Sequence, residues 1–221
     1  SLLNNRAIAT VEGIRDRLRV LLVSGEPHPG ERTWRNLLKA DAAVDLVHFT
    51  ILRPPEKQDG TPTRELSLIA FPTRELFIDK IDEFDLVIFD RYRRQAILPE
   101  EYLANVADYV RRGGAVLLAS GPDYAAPDGL YASPLADVLE AVPTGFLTET
   151  PYRPQVTKDG KKHPVTAKLP GSEGATPTWG HWFRLVDASV NDDTKPLLAG
   201  PDEKPLLVLK RVGEGRVAQL L

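Results

Sequence analysis

The 221 residues carry 28 basic and 31 acidic side chains, for a formal net charge of −3, and 42% of them are hydrophobic. That much apolar sequence can fill the core of one large domain, and the near balance of charge argues against nucleic acid or an anionic membrane surface as a partner. With no cysteine, the chain has no disulfide, no thiolate metal ligand and no cysteine nucleophile. No run approaches the roughly 18 apolar residues of a membrane span, so direct membrane insertion is not expected, and the opening SLLNNRAIAT lacks the basic-then-apolar order of a signal peptide. The absence of methionine and the apolar ending RVAQLL predict a piece of a longer protein. Residues 1–17, which lack the patterning of the rest, read as a linker or the tail of a preceding domain, and 18–221 as the domain itself.

LRVLLVS at 18–24 is a nearly continuous apolar run closed by Gly25, Pro27, Pro29 and Gly30, which predicts a buried parallel strand and a tight loop. From 31 to 40, Trp34, Leu37 and Leu38 recur at helical spacing, and VDLVHFT at 44–50 returns to strand, completing a βαβ unit. Residues 52–63, with Pro54, Pro55, Gly60 and Pro62, predict an exposed connection. Thr73 offers a cap for a short helix through Lys80, and DLVIFD at 85–90 is a third strand.

Pro99, the stripe Leu103, Val106, Ala107 and Val110, and the ending Arg111, Arg112, Gly113, Gly114 together describe a complete helix, followed by a fourth strand AVLLAS at 115–120. Strands alternating with helices predict a mostly parallel sheet covered on both faces. After Gly121 frequent prolines break the chain, and only 135–141 reads as helical. Two apolar runs at 204–211 and 216–221, joined through Gly213 and Gly215, predict an antiparallel hairpin that closes the sheet.

DLVIFD, the helix ending RRGG and the strand AVLLASGPD resemble the class I glutamine amidotransferase and intracellular-protease superfamily. HPVTAKLP at 163–170 is similar to a stretch of the non-canonical amidotransferase-like domains, the trehalose-utilisation type among them. RLRVLLVSGEPHPGERTWRNLLK, ILRPPEKQDGTP and KPLLVLKRVGEGRVAQLL resemble the glutamine-amidotransferase-like domains of large alphaproteobacterial membrane-associated proteins. The resemblance covers nearly the whole chain from Leu18 onward. It implies a three-layer α/β sandwich of flavodoxin-like, class I glutamine-amidotransferase-like fold, joined to other domains of a membrane-associated polypeptide.

The same resemblance implies a nucleophile elbow after the fourth strand, where the position of the superfamily's cysteine falls on Ser120. A serine hydroxyl is a far weaker nucleophile than a thiolate and needs a well-placed base, and Pro122 removes an amide donor two residues on. His28, in the loop after the first strand, is the one candidate base that loop placement brings to the same sheet edge. His48 is expected to be packed or edge-exposed. In the superfamily's catalytic motif histidine and proline are followed by glutamate, whereas Val165 follows His163 and Pro164, so His163 reads as a turn residue. His181 between Trp179 and Trp182 reads as part of an aromatic packing cluster. The resemblance also places a further catalytic or vestigial histidine beyond Leu221.

Asp90, Asp123 and Asp128 follow strands and face one crevice in this reading, but no ligand spacing supports a metal. Without a Walker or GxGxxG motif no cofactor is expected. Arg91, Arg93 and Arg94 form a basic cluster that reads as a solvated loop or a carboxylate-binding surface. These features together predict a non-catalytic binding or scaffolding module whose partners are other domains of its polypeptide or other proteins. The alternatives are a hydrolase or amidotransferase using Ser120 or a residue beyond the chain end, and a small-molecule sensor using the crevice at the carboxyl ends of the strands.

Overall fold

The computed structural model describes residues 17–25, 28–50, 72–94, 98–174 and 176–221. The linker expected over residues 1–17 (Arg17 excepted) and the connection expected at 52–63 lie outside these residues. Strand β1 (Leu18–Ser24), helix α1 (Pro29–Ala40) and strand β2 (Val44–Thr50) form the βαβ unit expected from the sequence. β1 is paired in parallel with β2 on one side and with β3 (Leu86–Asp90) on the other. Helix α2 (Glu100–Arg111) then leads to β4 (Ala115–Ala119), which lies parallel to β3.

Four further strands follow: β5 (Val142–Thr148), β6 (Gln155–Val156), β7 (Leu185–Ser189) and β8 (Leu198–Ala199). The hairpin β9 (Pro205–Val212) and β10 (Gly215–Leu220) ends the order. Among the described residues these build an eight-stranded sheet in the order β2-β1-β3-β4-β10-β9-β8-β6 and a two-stranded sheet of β5 and β7. The fold is therefore α/β, with five parallel strands from the β2 edge to β10 and antiparallel strands after them.

The apolar stripe of α2 works as its spacing predicts. Leu103, Val106, Ala107 and Val110 are buried against one sheet face, with Val87, Phe89, Val116 and Val217 in the same cluster; truncating such a leucine to alanine costs about 2–5 kcal/mol. On the opposite face, Val20, Leu22 and Ile88 are covered by Trp34 and Leu38 of α1.

Three expectations are corrected. The C-terminal hairpin does not close the sheet: β10 is inserted beside β4 as a parallel strand, and β8 and β6 continue beyond β9. Two-residue strands leave no periodic trace in sequence, so nothing flagged them. The segment 135–141 is a 3-10 turn at Pro134–Val138. It cannot extend as a helix because the side-chain Oε1 of Gln219, on β10, accepts from the backbone N–H groups of Glu140 and Ala141 at 2.6 and 2.9 Å. The short helix after Thr73 is π-helical over Glu75–Asp79 with Arg74 at its N-cap and no side-chain cap.

Candidate functional site

The chain runs from β1 out to β2, then reverses to place β3 on the other side of β1. At such a switch point the loops leaving adjacent strands diverge, and a crevice opens at the carboxyl ends. His28 from the loop after β1, Asp90 and Arg91 at the end of β3, and Ser120 after β4 all belong to this edge.

His28 is the N-cap of α1, with extended backbone angles, and its Nδ1 accepts from the Gly30 N–H at 3.1 Å. Its Nε2 lies 2.7 Å from Oδ2 of Asp90. A ring nitrogen that accepts a backbone N–H is unprotonated, so Nε2 carries the hydrogen and donates it to the carboxylate. Both ring nitrogens are therefore in use. Asp90 is 2% exposed; burial pushes its carboxyl above the ordinary range, and the His28 hydrogen bond works against that shift.

A second polar group forms on the α1 side of β1 and β2. His48 Nε2 meets Ser24 Oγ at 3.0 Å and Thr50 Oγ1 at 3.1 Å, while Thr50 donates to Oε1 of Glu31 at 3.0 Å. Burial lowers the His48 pKa, and the Glu31 carboxylate, 3.5 Å from Nε2, opposes that. Serine, histidine and glutamate in one cluster invite comparison with a catalytic triad, but the geometry differs. In a triad the acid orients one ring nitrogen while the other takes the serine proton; here the same Nε2 faces both oxygens. Ser24 is also fully buried, so no substrate reaches it. The cluster ties the first turn of α1 to the two strands beneath it.

The strained turn implied at Ser120 lies elsewhere. The non-glycine residues with positive φ among those described are Arg91, Asp202 and Glu203, so Ser120 is not on an elbow, and it is Arg91, at φ 46°, that takes the rare conformation at a strand end. Two close approaches hold it. A Cβ on Gly25 would come within 1.9 Å of the Arg91 carbonyl oxygen, and one on Gly121 within 2.8 Å of its Nε. The Arg91 N–H donates to Ala119 O. Ser120 donates its own N–H to Leu220 O at 2.8 Å, and its buried Oγ has no hydrogen-bond partner among the described residues. His28 reaches Asp90, not Ser120.

The remaining candidates separate. Arg93 pairs with Asp128 at 2.8 Å and Asp123 at 3.9 Å, and Arg94 pairs with Glu100 and donates to Ala132 O. The expected basic cluster is thus largely neutralised from within, and the three aspartates divide between His28 and Arg93. No group of three or more metal-binding side chains occurs among the described residues. His163 is a turn residue whose Nδ1 accepts from Val165 N–H at 3.2 Å. His181 is exposed. Sequence reasoning missed Ser24, Glu31 and Thr50 as partners of His48; the alternation of His48 and Thr50 on one strand face was the available signal.

No family model matches the chain, and no curated protein matches it. Its fold is similar to that of several solved structures. A cytoplasmic protein of Salmonella typhimurium superposes with a TM-score of 0.62 at 17% identity, covering 92% of this chain and 87% of that one. A ThuA-like protein of Bacteroides uniformis gives 0.55 at 13% identity, over 97% and 85% of the two chains. A GH42 β-galactosidase of G. stearothermophilus gives 0.52 at 11% identity, over 93% of this chain and 27% of that longer one. The chain thus shares with a ThuA-like protein an α/β fold built on a mostly parallel sheet.

Proposed function

We propose that this chain is a flavodoxin-like, class I glutamine-amidotransferase-like domain that works as a binding or scaffolding module of a larger, membrane-associated protein and does not hydrolyse glutamine. The observation that carries this reading is the commitment of His28: Nδ1 accepts from Gly30 and Nε2 donates to Asp90, leaving no base for the Ser120 hydroxyl. Without a base an alcohol does not become a competent nucleophile near neutral pH. The backbone at Ser120 also lacks the strained elbow that would present the hydroxyl. A match of this fold to about a quarter of a longer chain is in keeping with its use as one part of a multidomain protein.

A small-molecule sensor is the second reading, favoured by Arg91. Its strained backbone sits at the switch-point edge, and among the described residues no carboxylate pairs with its guanidinium. Both readings predict no ammonia release from glutamine by the purified chain and no labelling of Ser120 by a fluorophosphonate probe. Glutaminase turnover abolished by Ser120→Ala would overturn them.

A further inference from the structure

On the α1 side of the sheet, beyond the region that α1 covers, lies a trench of about 640 Å³. That volume is in the range of small-molecule sites, about 300–1,000 Å³. Its floor is the alternating outward row of three neighbouring strands: Leu117 of β4, Ala218 and Leu220 of β10, and Leu207 and Leu209 of β9. Its wall is Val165, Leu169, Trp179 and Trp182. The Trp179 indole is held in place by its Nε1, which donates to Pro154 O at 3.0 Å, while the main chain of Trp182 exchanges hydrogen bonds with that of Tyr152 and their two rings lie 6.5 Å apart. Thr166, at the same wall, spends its hydroxyl on Gly160 O. Apart from Arg216 and the Trp182 indole N–H, the lining side chains are apolar or have their polar atom already hydrogen-bonded.

One end differs. The register that places Leu207 opposite Leu220 and Leu209 opposite Ala218 places Arg211 directly opposite Arg216. Directly opposed residues of an antiparallel pair project from the same face, and like charges so placed repel. Both side chains are exposed, and among the described residues neither forms an ion pair or a side-chain hydrogen bond. An apolar trench lined at one end by Arg216, with Arg211 directly opposite it in the hairpin, is complementary to a ligand with an apolar chain and an anionic head, since a carboxylate accepts from two guanidinium forks at once.

We propose that the trench is a binding site for a free single-chain carboxylate amphiphile, its chain lying along the sheet face between the strands and the two tryptophans and its head bridging Arg211 and Arg216. The site lies on the sheet face, apart from the switch-point edge, and stands whether or not that edge binds a ligand.

The probe is decanoate below its micelle concentration, titrated into the full chain by calorimetry and followed by tryptophan emission. Decyltrimethylammonium and acetate test the head and the chain separately. Saturable one-to-one binding of decanoate is expected, at least about tenfold tighter than either control, with a shift in emission from Trp179 and Trp182. R211Q/R216Q should lose about tenfold in decanoate affinity while keeping its circular dichroism and melting temperature, because both side chains are exposed. Ala218→Trp, which fills the floor, should abolish binding. No saturable binding of decanoate, equal binding of the cationic amphiphile, or wild-type affinity in R211Q/R216Q would each overturn the proposal. So would a dimer that buries the trench tryptophans and is indifferent to decanoate.

Discussion

His28 and Asp90, 62 residues apart in the chain, meet at 2.7 Å through Nε2 and Oδ2, and this contact fastens the N-terminus of α1 to the end of β3. His28→Ala removes the acceptor that caps α1, a loss of about 0.5–2 kcal/mol. It also leaves the Asp90 carboxyl buried without its donor, about 1–3 kcal/mol more. Urea unfolding should show a total loss of about 1.5–5 kcal/mol. Ser120→Ala should change stability by less than about 0.5 kcal/mol, since the hydroxyl bonds to no described residue. Equal losses in the two variants would contradict this division of roles.

The pH dependence of stability should carry the signature of His48. Burial lowers its pKa below the ordinary 6.5, despite the raising effect of Glu31, so the unfolded chain takes up this proton at a higher pH than the folded one. The His48 contribution is therefore complete above pH 6.5 and is lost as the pH falls toward its folded value. Asp90 acts with the opposite sign. Burial holds it above 3.8 even against the His28 hydrogen bond, so its contribution is complete below pH 3.8 and fades as pH rises through its folded value. Denaturant midpoints between pH 7 and pH 5 should fall less steeply in His48→Gln than in the wild type; identical slopes would remove His48 from this account.

Gln219 should matter far more than a polar residue on a C-terminal strand ordinarily does. It is 1% exposed. Its Oε1 accepts from two backbone N–H groups, and its Nε2 donates to Tyr124 Oη at 2.9 Å. Gln219→Leu keeps the volume but strands both amides, at about 1–3 kcal/mol for each buried group. Hydrogen exchange should accelerate at the amides of Glu140 and Ala141 in particular; a uniform acceleration across β5 and β10 would indicate a loss of packing instead.

Arg91 tests whether strain is stored at the switch point. Arg91→Gly relieves a left-handed residue and should raise stability by up to about 1 kcal/mol. Gly25→Ala should lower it by about 2 kcal/mol or more, because its Cβ would meet the Arg91 carbonyl at 1.9 Å. Thermal melts of the two variants should move in opposite directions, and a destabilised Arg91→Gly would mean that the side chain itself holds the edge together.

The elements with strong local periodicity are legible in the order of residues alone. The apolar runs of β1 and β2 coincide with the strands to the residue, and the stripe of α2 is the face that is buried. The missing cysteine is equally decisive, because composition by itself removes thiol chemistry. What joins the elements is not legible in this way. Leu22 lies opposite His48 only because β1 and β2 are parallel in one register, and Gln219 finds Glu140 across 79 residues only because β10 enters beside β4. In the sequence Arg211 and Arg216 are two charges near a turn; the hairpin register sets them side by side. Alternation and helical spacing report which face a residue occupies within its own element; strand order, register and the reach of a side chain between distant segments decide which residues meet, and those are properties of the assembled sheet.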